Sequence, residues 1–177
     1  MKNYLPILIL ILSIGSINAQ SVNKLKKELL NSIEQKSDEL ITMSDNIWHA
    51  AEVAFREEKS AEYLIEYAKQ NGFDVDSDLA GMPTAFTATY GEGSPVIGII
   101  GEFDALPGLS QTNVPYKKEL TEGGAGHGCG HNLFGTASLG AAVAIKELIE
   151  KGSLKGTVKY FGTPAEEKLF YSPFKAL

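Results

Sequence analysis

Cysteine is almost missing from this sequence. Cys129 is the one thiol in 177 residues, which excludes an intrachain disulfide. Histidine is nearly as scarce, so any imidazole chemistry rests on His49, His127 or His131. Basic clusters are absent too. Lys and Arg number 16 against 22 Asp and Glu, for a formal charge of -6, and none of the cations gather beyond a helical pattern, so nucleic acid is not expected as a partner. Beyond the first twenty residues no apolar run approaches the roughly 20 residues that a membrane span requires. What is present is ordinary for a globular domain, 44% hydrophobic and 21% charged, in a length that suits one domain with its own core.

The first twenty residues differ from the rest. Lys2 precedes an apolar run from Tyr4 to Ile14, interrupted only by Pro6 and Ser13, and the small polar stretch Ser16 to Ala19 follows. This is the layout of a secretory signal peptide cleaved after Ala19, with an uncleaved anchor as the other reading. The expectation is export to the periplasm or the medium, with no stable membrane span after cleavage. A lone thiol in an exported protein calls for intermolecular pairing, a reactive site or a metal ligand.

Apolar residues then recur at three- to four-residue steps from Val22 to Ala51, slipping near Lys36 and Ser37. This predicts one long amphipathic helix or two abutting ones. A further helix is predicted from Ser60, as N-cap, to Gln70, stopped by Asn71-Gly72. Phe86, Ala88 and Tyr90 alternate with threonines as in a half-buried strand. Val96 to Ile100 is an unbroken apolar run, as in a strand covered on both faces. Residues 105–130 are loop-like, with five glycines from Gly123 to Gly130, and a loop of that length is usually functional or disordered. A buried helix rich in small residues is predicted from Asn132 to Glu150, ended by Gly152, and a strand from Thr157 to Phe161. The order implies an α/β sheet with a crossover.

Polar clusters fall where strands end, which is where open α/β sheets place their sites. Asp104 follows one strand and Glu166-Glu167 another; Gly126 to Asn132 enters the buried helix. Thiolate and imidazole are preferred zinc ligands, and in an extended segment residues two apart face the same way. Cys129 and His131 can therefore meet one ion, or they are a buried thiol and a helix cap. Of two adjacent glutamates, one can bind metal while the other takes a proton from water; the plain alternative is a solvated turn. Asp104 is a turn cap or the partner that fixes the tautomer of a ligating imidazole. His49, beside Trp48, reads as structural, and His127 as a site residue or a loop residue.

Taken together, GEFDALPGLSQ (Gly101 to Gln111), GHGCGHNLFGTASLGAA (Gly126 to Ala142) and GTPAEE (Gly162 to Glu167) resemble the M20 metallopeptidase/amidohydrolase family, on its aminobenzoyl-glutamate utilisation branch. WHAAEVAFREEKSAEYL (Trp48 to Leu64) also fits, and the match covers nearly all of residues 22–167. The resemblance implies an α/β aminopeptidase-like sandwich, with helices packed on a mixed sheet, and two divalent ions, zinc or manganese. It implies Cys129, His131 and Glu167 as metal ligands, Glu166 as general base and Asp104 as the acidic residue behind a ligand. The implied substrates are N-acyl amino acids, aminobenzoyl-glutamate-like compounds or dipeptides, and intact relatives are expected to be homo-oligomers.

After Glu167 the resemblance stops. Residues 1–19 are expected to be signal, 20–167 the N-terminal part of a catalytic domain, and 168–177 a tail foreign to the family. Relatives are longer, with further ligand histidines and an inserted lid and dimerisation domain. The expectation is a truncated or frameshifted product, inactive or barely active, with an apolar sheet edge laid bare. Two other readings stay open: a thiol hydrolase with Cys129 as nucleophile, and an exported metal-binding module without catalysis.

Overall fold

The structure, a computed structural model, describes residues 22–168; the predicted signal peptide and all but the first residue of the predicted tail lie outside them. The amphipathic stretch is two helices, α1 over residues 22–35 and α2 from Ser37–Ala50, with the break at Lys36 where the apolar period slips. Lys36 is not idle at that break, since its ammonium pairs with Glu147 of a later helix. Helix α3 spans Glu58–Gln70. Ser60 is not its N-cap, as predicted, but lies inside its first turn. The capping acceptor comes from outside the helix: the Glu52 carboxylate receives the Lys59 and Ser60 amides and the Ser60 hydroxyl at 2.8–3.0 Å, so the orphan donors of that turn need no local cap.

Four strands form one sheet, β1 (Asp74–Ser77), β2 (Phe86–Glu92), β3 (Val96–Glu102) and β4 (Gly156–Thr163), in the order β1-β2-β4-β3. β1 and β2 pair antiparallel, as do β2 and β4, whereas β3 and β4 run parallel. The sheet is therefore mixed, as expected. Sequence gives no cue to β1, because Asp-Val-Asp-Ser carries no apolar alternation. β2 does not alternate at its start: Phe86, Thr87 and Ala88 are all buried, because this part of the strand is flanked by β1 and β4 together, while its end pairs with β4 alone. β3 departs most from expectation. Val96, Ile97 and Ile100 are 62%, 51% and 40% exposed, because among the described residues β3 ends the sheet and has one strand neighbour.

Helix α4 (His131–Glu150) is the crossover between the parallel strands β3 and β4. Its small residues let it lie on the sheet. A side chain at Gly135 would meet the Glu102 carbonyl oxygen at 2.7 Å, so only glycine permits this approach of helix to strand. The Tyr160 hydroxyl, from β4, donates to the Gly135 carbonyl at 3.2 Å. Gly152, at φ +70°, turns the chain after the helix as predicted. Phe86, Phe103, Leu139, Val143 and Tyr160 fill the space between α4 and the sheet, joined by Ile47 of α2 and Leu64 of α3. Each such side chain, fully buried, contributes about 1.5–3 kcal/mol. A parallel pair has a useful consequence. β3 and β4 both finish at the same end of the sheet, in register at Glu102 and Thr163, and the crossover helix starts there.

Candidate metal centre

His131 is the first residue of α4, introduced by Gly130 at φ +83°, a backbone angle that glycine adopts freely. The His131 side chain is 6% exposed. Its Nδ1 donates to Asp104 Oδ1 at 2.9 Å, and Asp104, itself buried, accepts the Glu167 amide on Oδ2 at 2.9 Å. One carboxylate just past β3 thus holds the start of α4 and the turn after β4. With Nδ1 engaged, Nε2 is the ring atom left over. It faces Glu102 Oε2 at 3.2 Å, Glu166 Oε2 at 3.8 Å and Glu167 Oε1 at 3.8 Å. Cys129, His131 and Glu167 bring their donor atoms within 4.8 Å of one another, and Glu102, His131 and Glu166 form a second such group.

The turn carrying the two glutamates has its own support. Ala165 sits at φ +64°, a left-handed conformation that costs an L-residue about 1–2 kcal/mol, and its amide donates to Glu57 Oε1 at 2.9 Å. The turn leaves the Glu167 side chain 17% exposed and that of Glu166 38% exposed. One carboxylate is folded inward and its neighbour stays open.

The charges at this site are unbalanced. Four carboxylates and a thiol surround one imidazole. Burial pushes the Glu102 carboxyl up, and Glu166 and Asp104 push it further, against the pull of His131. The hydrogen bond to Asp104 holds the His131 pKa above its ordinary value, with burial opposing. Contact with Glu167 pushes the Cys129 thiol up, aided by burial and the other acids. Glu167 Oε1 is buried and has no hydrogen-bond donor. An acceptor oxygen left bare beside a ring nitrogen and a sulfur is expensive unless a cation sits among them. Sulfur, imidazole nitrogen and carboxylate oxygen are the zinc-type donor set, and added carboxylates suit manganese; a divalent ion therefore fits these residues.

Of the residues singled out from sequence, Asp104, Cys129, His131, Glu166 and Glu167 come together here. His49 does not join them; its exposed ring stacks edge-on against Trp48 and its Nδ1 donates to the Asp45 carbonyl at 2.7 Å. His127 donates from Nε2 to the Ile47 carbonyl at 3.1 Å, leaving Nδ1 buried without a partner, and burial holds its pKa down. It lines a cavity of about 360 Å³ with Trp48, Leu109, Gln111 and Leu120. Glu102 escapes the sequence reading. The signal is there, since it lies two residues before Asp104 at a strand end, the same spacing that picks out Cys129 with His131. Glu57 escapes it as well, and its spacing offers no cue.

The chain is similar to proteins already known. The family described as peptidase family M20/M25/M40 matches residues 98–171. One of the subunits of the p-aminobenzoyl-glutamate hydrolase of Escherichia coli (strain K12) is 42% identical over 138 residues, covering 77% of this chain and 29% of that protein. An Xaa-Arg dipeptidase of Mus musculus is 28% identical over 170 residues, covering 86% and 35%. Among solved structures, a dinuclear metal-binding peptidase of family M20 from Bacillus subtilis superposes with a TM-score of 0.64 at 28% identity, over 76% of this chain and 36% of that one. The chain thus spans about a third of the length of the relatives it matches. A shared fold, motifs in the same order and acids converging on one imidazole point the same way: over residues 98–171 the chain matches the M20/M25/M40 peptidase family.

Proposed function

We propose that this chain carries the hydrolytic centre of a metal-dependent amidohydrolase acting on N-acyl amino acids, aminobenzoyl-glutamate-like compounds or dipeptides. The observation that carries the reading is the bare, buried Glu167 Oε1 beside the free ring nitrogen of His131 and the Cys129 thiol. In this reading Cys129, His131 and Glu167 hold an ion, zinc or manganese, and a second ion completes the pair in the whole protein. Three protein donors leave a place open, as catalytic zinc sites do. The ion, when bound, lowers the pKa of water and polarises an amide carbonyl.

The chain's own residues do the rest. Glu166, the more open carboxylate of the turn, takes the proton of the attacking water on a side-chain oxygen and returns it to the departing amine nitrogen. Asp104 keeps the proton of His131 on Nδ1 and thereby keeps Nε2 free. The cavity lined by His127, Trp48, Leu109 and Leu120 reaches Gly128, the residue before Cys129, and suits an organic substituent of the substrate. The E. coli and mouse relatives act, by their names, on an aminobenzoyl-glutamate and on dipeptides, which supports this substrate class. The charged and apolar layout of residues 1–19 supports export, and assembly into a homo-oligomer belongs to the same proposal.

The test is ion content and hydrolysis together. The chain is expected to bind zinc, to lose it on Cys129→Ala or His131→Ala, and any amide cleavage is expected to stop with chelator. Cleavage that survives chelator but not iodoacetamide would replace this reading with the thiol hydrolase. The acids raising the Cys129 pKa work against that outcome, because the thiolate is the nucleophile. Ion uptake with no cleavage of any amide would favour the non-catalytic module.

A further inference from the structure

We infer that Glu57 is a positioning residue of this centre, whose buried carboxylate holds the Ala165 turn that aims Glu166 and Glu167. The inference rests on the reading of Glu166 as base and Glu167 as ligand. Glu57 lies in the segment between α2 and α3 and is 0% exposed. Its Oε1 accepts the Ala165 amide, 108 residues away, at 2.9 Å, and its Oε2 accepts the Thr84 hydroxyl at 3.2 Å. Ala165 is left-handed, where the Cβ of an L-residue crowds the following carbonyl. The contact with Glu57 is therefore what the strained residue receives in return for its conformation.

The geometry explains why a carboxylate is kept in so dry a place. Burial is the largest influence on Glu57 and pushes its pKa up, while amide donors, that of Ala165 among them, oppose the rise. The turn from Pro164 to Glu167 is then held by two buried acids, Glu57 at the Ala165 amide and Asp104 at the Glu167 amide. Between the two anchored amides stands Glu166. The same segment is tied to the other strand end, since the Ala105 amide donates to the Glu52 carbonyl at 2.8 Å. The stretch from Glu52 to Glu57 thus braces both acidic strand ends without touching an ion itself.

The experiment is zinc affinity of the full chain, by competition with a chromogenic chelator, for wild type, Glu57→Gln, Glu57→Ala and Glu57→Asp, with amide hydrogen exchange at residues 165–167. Glutamine keeps an acceptor oxygen for Ala165, and Thr84 can turn to accept from its amide. E57Q is therefore expected within about twofold of wild type, whereas E57A and E57D, which lacks the reach, are expected to bind about tenfold more weakly and to exchange faster at Glu166 and Glu167. Wild-type affinity in E57A or E57D overturns the inference, as does a loss in E57Q equal to that in E57A. Should E57A fail to fold by circular dichroism, E57D decides. If wild type takes up no zinc, the metal reading itself falls, and unchanged exchange at residues 165–167 in E57D then overturns the positioning role independently.

Discussion

Replacing Asp104 with asparagine makes the sharpest demand on this site. Asp104 accepts two hydrogen bonds, from His131 Nδ1 and from the Glu167 amide, each at 2.9 Å. Asparagine offers one acceptor and one donor. The Glu167 amide can only donate, so it claims the asparagine oxygen. The asparagine NH2 must then face His131 Nδ1, which accepts only if the ring proton moves to Nε2. That move blocks the lone pair facing Glu102, Glu166 and Glu167. Loss of an outer partner of a ligating histidine costs about 10- to 100-fold in metal affinity, or about 1.4–2.7 kcal/mol. The loss of a charged acceptor costs the fold about 1–3 kcal/mol. The assay is zinc titration beside the ring 15N shifts of His131 and urea unfolding of the metal-free chain. A D104N protein that keeps the proton on Nδ1 and binds zinc as wild type does would refute the reasoning.

Two further outcomes follow from the same geometry. The His131 pKa is raised from 6.5 in the folded chain, so its pairing with the acids adds stability below the unfolded value and loses it as pH climbs through the raised one; zinc uptake should strengthen over that window, because Nε2 must shed its proton. Metal-free urea midpoints that rise across the window, or zinc affinity that falls, would contradict this. Gly135→Ala places a methyl 2.7 Å from the Glu102 carbonyl oxygen and should destabilise the fold by about 1–3 kcal/mol, measured by urea unfolding; a cost below about 0.5 kcal/mol would mean that α4 is free to shift on the sheet.

Periodicity finds what local physics decides. The slip at Lys36, the length of α4 and its small-residue face are properties of short stretches, and they read true from sequence. The five candidate site residues come from polar clusters at two strand ends and a helix entry, read together through the family resemblance of their motifs, and the parallel β3–β4 pair gathers them at one place. What fails depends on neighbours that spacing cannot see. The run Val96 to Ile100 looks the same whether a strand is central or terminal, and its exposure follows from sheet order. Ser60 resembles a cap until Glu52 is known to reach the same amides. Glu57 is an ordinary helix-entry acid by sequence, and only the contact across 108 residues gives it a role.

That spread of contacts has a consequence for how the molecule comes together. The links at the site join residues 27, 63 and 108 positions apart, and closing long loops is slow relative to winding helices. The helices can wind early, yet the donors for an ion converge only once β4 has docked beside β3. In the proposed reading, an ion offered to the chain before that docking meets only the local pair Cys129 and His131, and the third donor, Glu167, arrives with the pairing of β4 beside β3.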